Sequence, residues 1–519
     1  MDRQSLFFLV ILIAGALARL SVLALRAGDL STDPDAYLAH AEALHEGHGF
    51  ASPATGKPTA FRPPGLPLLI ALTPGSSEFP ERSVAMINFA AGILTILLTR
   101  QLAEQLGLSS PAALTAAAMT AADPLLLRYT ALPMTEVLSA LLLTAALLLF
   151  VRYRQFGATQ LRLGCPPESS PGETADGCRR TVNAADVSGI ISAVGLITGR
   201  PLPSPRGTHA HVWRDGAAAG LLLGLAALVR PVALVVAALL IGWLVLQRLR
   251  LLLPGATCLS RFSLRHRVGM FLTLTAIPGL TLLLTISPWI VRNALQFHHL
   301  IPATTHGGYT LALGNNPEYY RDVVNRGGSR VWDGVALANW QEQMQQAAAD
   351  AGIPAGDEVA TDAWMYRQTR AAITGDLGSF LRASVGRISS FWALTPAAET
   401  GVPDTLVTCI GTWYLLIWVG VAAAVFRAVT GPDRICLAEL WLAIVGFMVV
   451  HSFYWTDARM RTPLMPVLYL LSCIGGVTVC RAVRQLARAR GPAGSVVCRE
   501  GGRFRETSQT QEGHSEQAP

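Results

Sequence analysis

The feature that most constrains this chain is a series of apolar runs, each closed by charge or by Pro and Gly, that recurs from the N-terminus to residue 482. The runs fall near 5–26, 83–104, 110–127, 134–152, 215–229, 231–248, 268–290, 404–426, 437–455 and 462–482. A helix of roughly 20 apolar residues spans the roughly 30 Å hydrocarbon core of a bilayer. Inside that core only helices and closed barrels satisfy every backbone amide. The sequence therefore predicts an all-α polytopic membrane protein with about ten transmembrane helices. Runs 110–127 and 215–229 are short, which predicts tilt or a break. Composition agrees, since 51% of residues are hydrophobic and 14% charged, against roughly 25% charged in soluble domains.

The net charge of +7 does not point to nucleic acid, because no basic stripe with interleaved aromatics is present. The arginines sit beside the apolar runs and read as topology signals. VRYRQ after the fourth run, QRLR and RHR at 248–267, FRAVTGPDR at 426–434 and RAVRQLARAR at 481–490 share one face, which the positive-inside rule makes cytoplasmic. The expected location is a cell (inner) membrane, with both termini cytoplasmic. The first apolar run is longer than the roughly 7–15 residues of a signal-peptide core and is read as a retained helix. The eight cysteines show no C-x-x-C spacing, so neither a disulfide framework nor a zinc site is implied.

The expected organisation has six parts. Residues 1–155 carry the first four transmembrane helices and a first outer loop at 27–82. Residues 156–213, rich in Pro, Gly and Ser, form a flexible cytoplasmic insertion. Helices five to seven occupy 214–290, and 291–403 forms a small outer cap of amphipathic helices. Helices eight to ten occupy 404–482, and 483–519 is a disordered cytoplasmic tail.

The first outer loop begins with STDPDAYLAHAEALHEGHGF at 31–50, which sets Asp33 and Asp35 at a membrane edge. An Asp next to Pro caps a helix well, and that accounts for one acid. Two acids immediately after a transmembrane run favour a functional role, because ionisable groups near apolar surroundings are costly. His40, His45 and His48 do not make a metal motif, since HEGHG has the wrong spacing and a helix-breaking glycine. On the outer side, Arg128, Arg230, Arg292, Arg459 and Arg461 break the positive-inside pattern. Each alone would snorkel to headgroups. Together they suit an anionic lipid phosphate, which arginine binds through two nitrogens.

The order of these elements resembles the C-type (GT-C) superfamily of polytopic glycosyltransferases, which includes protein mannosyltransferases and bacterial aminoarabinose transferases and uses polyprenyl-phosphate sugars. The resemblance rests on Asp33 and Tyr37 with LAHAEALHEGHGF, on FRPPGLPLLIAL at 61–72, on GLLLGLAALVRP at 220–231, on SPWIVRN at 287–293 followed by GGYTLALGNNP, and on DARMRTPLMP at 457–466. It covers most of 1–482 apart from the insertion. It implies transfer of a sugar, with inversion, from a polyprenyl-phosphate donor to an acceptor on the outer face.

In that pattern an aspartate of the first loop is the base, often as an Asp-Glu pair. Here Asp33 stands four residues before Tyr37 but Pro34 takes the glutamate position, so Asp33 and Asp35 both remain candidates, and the mechanism the resemblance implies gives the proton to Asp33. The five arginines would neutralise the departing phosphate, while Tyr37, Arg62, Glu136 and Asp457 would position substrate. The expected partners are the polyprenyl-phosphate sugar, an acceptor of unspecified class (lipid, glycan or protein) and the lipid bilayer. No cofactor is called for, and ligand spacing argues for no metal while leaving a divalent ion open. The alternative is a multi-pass transporter of an anionic or amphipathic substrate, against which stand the large outer segment and the lack of a repeated half.

Overall fold

The computed structural model describes residues 2–163, 209–249, 263–325, 334–395, 403–430 and 437–489, with single positions 252 and 332. The insertion expected at 156–213 and the tail expected from 483 lie largely outside the described residues. The described chain is helical, apart from an isolated bridge between Ala51 and Pro58. Contacts group Met1–Thr478 into one unit and place the residues from Val479 in a second.

In order, the helices are α1 (Arg3–Leu25), α2 (Tyr37–His45), α3 (Gly65–Ala71), α4 (Pro80–Gln105), α5 (Ser110–Ala121), α6 (Pro124–Arg128), α7 (Glu136–Leu163), α8 (His209–Val229), α9 (Val232–Leu249) and α10 (Leu264–Phe297). Then follow α11 (Gly307–Leu313), α12 (Gly334–Asp350), α13 (Glu358–Gly375), α14 (Leu377–Phe391), α15 (Asp404–Thr430), α16 (Ala438–Phe453) and α17 (Met465–Ala489). Among the described residues, seven helices are long and apolar enough to cross a membrane, and α16 is apolar but shorter.

The run at 110–127 is broken. Asp123 accepts the Leu126 amide at 2.6 Å and Pro124 opens α6, a start signal that stops the preceding helix. The 12 residues of α5 reach about 18 Å at 1.5 Å per residue, short of a full crossing. Asp123 is fully buried, and its second oxygen accepts the hydroxyls of Tyr414 and Tyr469.

Burial separates the inner helices from the peripheral ones. Of the most apolar stretch of each, 78% is buried in α7 and 72% in the Ala458–Cys480 segment, against 11% in α1 and 17% in α15. The first two pack on protein, and the last two present their apolar surface outward, as lipid-facing helices do. α7 packs against α4 and α8, α8 also packs against α10, and α9 packs against α16. The joint between α8 and α9 is Arg230-Pro231, where the proline disfavours helical geometry in the residue before it. Arg230 is therefore held at a corner.

The loop 26–79 and the segment 298–403 meet at one end of this bundle. Glu358 at the start of α13 accepts both the Thr59 hydroxyl and the Ala60 amide at 2.6 Å. The Thr305 amide donates to the Ala60 carbonyl at 3.0 Å. Arg292 donates to the Thr59 and Phe50 carbonyls, both at 2.7 Å. The two expected outer segments are thus joined, with Arg292 as an anchor for the loop.

Candidate active site

The two aspartates of the first loop do different things. Residues 33–36 form a turn in which the Ala36 amide donates to the Asp33 carbonyl at 3.1 Å. Ala36 occupies the cap position of α2 but carries no side-chain oxygen, and Asp33 supplies it instead, accepting the Ala39 amide on Oδ2 at 3.0 Å. The turn holds Ala36 at φ 60, a left-handed conformation that costs a residue with a Cβ roughly 1–2 kcal/mol. Asp35 lines a cavity, where its Oδ1 is 2.8 Å from Arg62 Nη2. Asp33 is not part of that lining; its Oδ1 is buried without a hydrogen-bond partner among the described residues.

The cavity has a volume of about 630 Å³. One wall is ionic. Glu136, at the first turn of α7, is 1% exposed, and both its oxygens lack hydrogen bonds among the described residues. Among the described residues its ion-pair partner is Arg230, whose Nη1 is 3.4 Å away. Arg230 Nη2 donates to Met460 Sδ at 3.0 Å. Arg459 completes this wall, its Nε 3.3 Å from Asp457 Oδ2, while Asp457 Oδ1 accepts the Arg459 amide at 2.9 Å. Tyr37 lines the same cavity, within the field of these charges. Its phenol is pushed well above its ordinary pKa, first by burial and then by Asp35, with Arg62 and Arg230 pulling the other way.

A second part of the lining, an aromatic wall, comes from the segment after α10. His306, Tyr309, Trp332 and Tyr366 line it, joined by Tyr454 and Trp455 from the end of α16. The paired glycines that open α11 make this wall possible. A Cβ on Gly307 would fall 2.1 Å from the Tyr366 hydroxyl, and one on Gly308 would fall 2.4 Å from the Asp362 carbonyl oxygen. Asp362 Oδ1 accepts the Gly308 amide at 2.6 Å. Burial pushes this carboxyl up to about 6, opposed by the Gly308 hydrogen bond and helped by Glu358 nearby.

Of the positions singled out in the sequence, the cavity brings together Asp35, Tyr37, Arg62, Glu136, Arg230 and Arg459, with Asp457 behind Arg459. Three arginines stand elsewhere. Arg128 pairs with Asp29 at 2.9 Å. Arg292 holds the loop carbonyls named above. Arg461 is fully buried, donates to the Phe391 carbonyl at 2.7 Å and lies over the Tyr414 ring at 4.6 Å. Each of these guanidiniums serves the protein rather than the cavity lining. Sequence reasoning missed the aromatic wall. The GGY run was visible, but its partners Tyr366 and Tyr454 lie far along the chain.

Among the described residues no group of three or more His, Cys, Asp or Glu is arranged to hold a metal ion.

Fold and site together define an all-helical, multi-pass membrane protein with an ion-paired, aromatic-walled cavity at one end of its bundle. No family model and no curated protein matches the chain. Among solved structures it is similar to the archaeal oligosaccharyltransferase AglB from Archaeoglobus fulgidus, in complex with an inhibitory peptide and a dolichol-phosphate. That match has 14% identity and a TM-score of 0.42 and covers 95% of this chain and 53% of that one. The Archaeoglobus fulgidus oligosaccharyltransferase with Zn and sulfate gives 16%, 0.45, 92% and 50%. ArnT from Cupriavidus metallidurans bound to undecaprenyl phosphate gives 12%, 0.35, 94% and 81%. The chain spans about half the length of the oligosaccharyltransferase chains it matches. Both neighbours are polytopic glycosyltransferases of the superfamily that the sequence motifs resemble. With TM-scores below 0.5, that agreement assigns no activity to this chain.

Proposed function

We propose that the chain is a glycosyltransferase that moves a sugar from a polyprenyl-phosphate donor to an acceptor hydroxyl at the outer face of the membrane, with inversion at the anomeric carbon. The observation that carries this reading is the shared cavity in which Asp35 and Glu136 face Arg62, Arg230 and Arg459. A phosphodiester brings negative charge that grows as the phosphate departs, and preorganised arginines stabilise that change in a site screened from water. Arg230 and Arg459 are placed for it. Each is paired with one acid through one nitrogen, leaving other guanidinium nitrogens for phosphate oxygens.

In the reaction the acceptor oxygen attacks the anomeric carbon, a C–O bond forms, and the bond from that carbon to the phosphate oxygen breaks. The phosphate leaves with the electron pair, and the acceptor proton passes to a carboxylate. We place that proton on Asp35. Its Oδ1 is held by Arg62, and its Oδ2 has no partner among the described residues. Asp33 is engaged as the cap of α2. Glu136 offers two unpartnered oxygens to sugar hydroxyls, and Tyr37 lines the same cavity as Glu136 and Asp35.

The test is transfer of radiolabel from polyprenyl-phosphate sugars to extracted lipid, glycan or protein by the purified chain. Label that moves to an acceptor with release of polyprenyl phosphate supports the reading. Vesicle uptake of an intact substrate without bond cleavage would establish the transporter alternative.

A further inference from the structure

The aromatic wall holds a histidine that the charged chemistry does not use. His306 caps the short helix α11 from outside, with Phe61 edge-on at 4.4 Å and Tyr309 at 5.3 Å between ring centroids. Its Nδ1 is 2.8 Å from the Thr310 hydroxyl oxygen. That hydroxyl has a single hydrogen and donates it to the His306 carbonyl at 2.7 Å. Toward the ring it can therefore only accept, so Nδ1 carries the ring hydrogen and Nε2 carries the lone pair. Among the described residues Nε2 has no hydrogen-bond partner, and the ring lines the cavity.

We propose that His306 is a substrate-positioning residue whose Nε2 accepts a hydrogen bond from an alcohol O–H in the cavity, supplied by the donor sugar or by the acceptor. The inference rests on the glycosyltransferase reading and extends it to the uncharged half of the site.

Three ligand chemistries could meet this nitrogen, and the surroundings select one. A phosphate oxygen has no hydrogen to give and is turned away by the lone pair. A cationic amine would approach Arg62, whose charge already acts on the ring. A neutral hydroxyl remains. Burial, with Arg62 adding to it, holds the imidazole far below its usual range, at about 3. So weak a base accepts a hydrogen bond but does not take the proton, which leaves proton removal to a carboxylate. Among the described residues none of the other groups facing the ring is hydrogen-bonded to Nε2. Tyr309 accepts from Gln341 at 2.6 Å, Asp362 is bound to the Gly308 amide, and the Tyr366 hydroxyl is 3.3 Å from that of Tyr454.

The experiment compares wild type, His306→Phe, which keeps a flat ring without nitrogen, and His306→Gln, which restores an acceptor oxygen. Binding is read with undecaprenyl phosphate and with undecaprenyl-phosphate mannose, and transfer is read against a titrated lipid extract. A lost neutral hydrogen bond is expected to cost on the order of ten-fold in affinity or KM. If the donor sugar supplies the hydroxyl, His306→Phe weakens the mannose-bearing probe and leaves undecaprenyl phosphate unchanged. If the acceptor supplies it, both probes bind as before and the KM for acceptor rises. In either case His306→Gln recovers most of the loss.

Nitrogen NMR on histidine-labelled wild type should show, by difference from His306→Phe, a neutral ring protonated on Nδ1 from pH 5 to 8. An imidazolium or a ring protonated on Nε2 overturns the proposal. So does His306→Phe that binds and transfers as wild type, or a loss that His306→Gln does not recover. Wild type that neither binds nor transfers removes the glycosyltransferase reading and this inference with it, whereas active wild type with an indifferent His306→Phe removes the inference alone.

Discussion

Arg62 Nη2 stands 2.8 Å from Asp35 Oδ1, while the same guanidinium lies 5.4 Å from the centre of the Phe61 ring. The contact joins the start of the first loop to its return, and it fixes the one loop acid that reaches the cavity. Both side chains keep about a fifth of their surface, at 20% and 21%, so the pair is partly solvated. The Arg230 and Glu136 pair is the opposite case, at 15% and 1%.

The two pairs should therefore respond differently to truncation. Arg62→Ala is expected to cost about 1 kcal/mol or less in stability while lowering transfer by ten-fold or more. Arg230→Met leaves a buried carboxylate without its counter-charge and is expected to cost on the order of 3–5 kcal/mol. Glu136→Gln, which removes the charge that needs compensating, should be milder. Thermal unfolding of the three purified variants checks the order, and equal losses in all three would contradict it.

Glu358 should act as the clasp between the first loop and the segment after α10. Glu358→Ala removes two short hydrogen bonds to residues 59 and 60 at once, which predicts faster proteolysis within 50–60 and a raised KM with the helical bundle intact. Far-UV circular dichroism unchanged beside a faster cut is the expected pair of results. An unchanged cleavage rate would mean that Arg292 and Thr305 alone hold the loop.

The sequence showed much of this arrangement because its strongest signals are local. Apolar length located the helices, and the sharp corner at Arg230-Pro231 and the acid opening α7 follow from rules that act over a few residues. The roles of Asp33 and Asp35 were not readable, because they depend on a turn that forces Ala36 to positive φ and hands its capping duty to a residue three positions earlier. Arg128, Arg292 and Arg461 look alike in sequence to Arg230 and Arg459. They differ only in what folding brings next to them: Asp29, the loop carbonyls, and Phe391 with Tyr414. The break in run 110–127 was foreshadowed by its shortness, and its place at Asp123 follows from an Asp-Pro start signal inside the run.

Two partly buried groups in or beside the aromatic wall should give opposite pH responses. His306 is lowered from its usual 6.5 to about 3, so its contribution is present above pH 6.5 and is lost as pH falls through that window. Asp362 is raised to about 6, so its contribution is present below its ordinary range near 3.8 and is lost as pH rises through 6. His306→Phe should hold its melting temperature better than wild type on going from pH 7 to pH 4.5. Asp362→Asn should hold it less well over the same change. Melting curves of both variants that run parallel to wild type would contradict the assignment.

The side of the membrane on which the site lies can be read by labelling. With native cysteines replaced, Gln345→Cys on the exposed face of α12 should react with an impermeant thiol reagent in intact cells, and Glu104→Cys near the far end of α4 should not. The reverse pattern would put the cavity on the cytoplasmic side.

The most direct test of the central claim measures donor binding and transfer side by side in Asp33→Asn, Asp35→Asn and the double variant. An asparagine keeps the shape and an acceptor oxygen but takes no proton, so Asp35→Asn should bind undecaprenyl-phosphate sugar within about two-fold of wild type and lose transfer by on the order of 100-fold or more. Asp33→Asn should retain most transfer, with a stability cost of about 1 kcal/mol or less. Full transfer by the double variant would contradict the account, and loss confined to Asp33→Asn would move the proton from the acid in the cavity to the acid that caps α2.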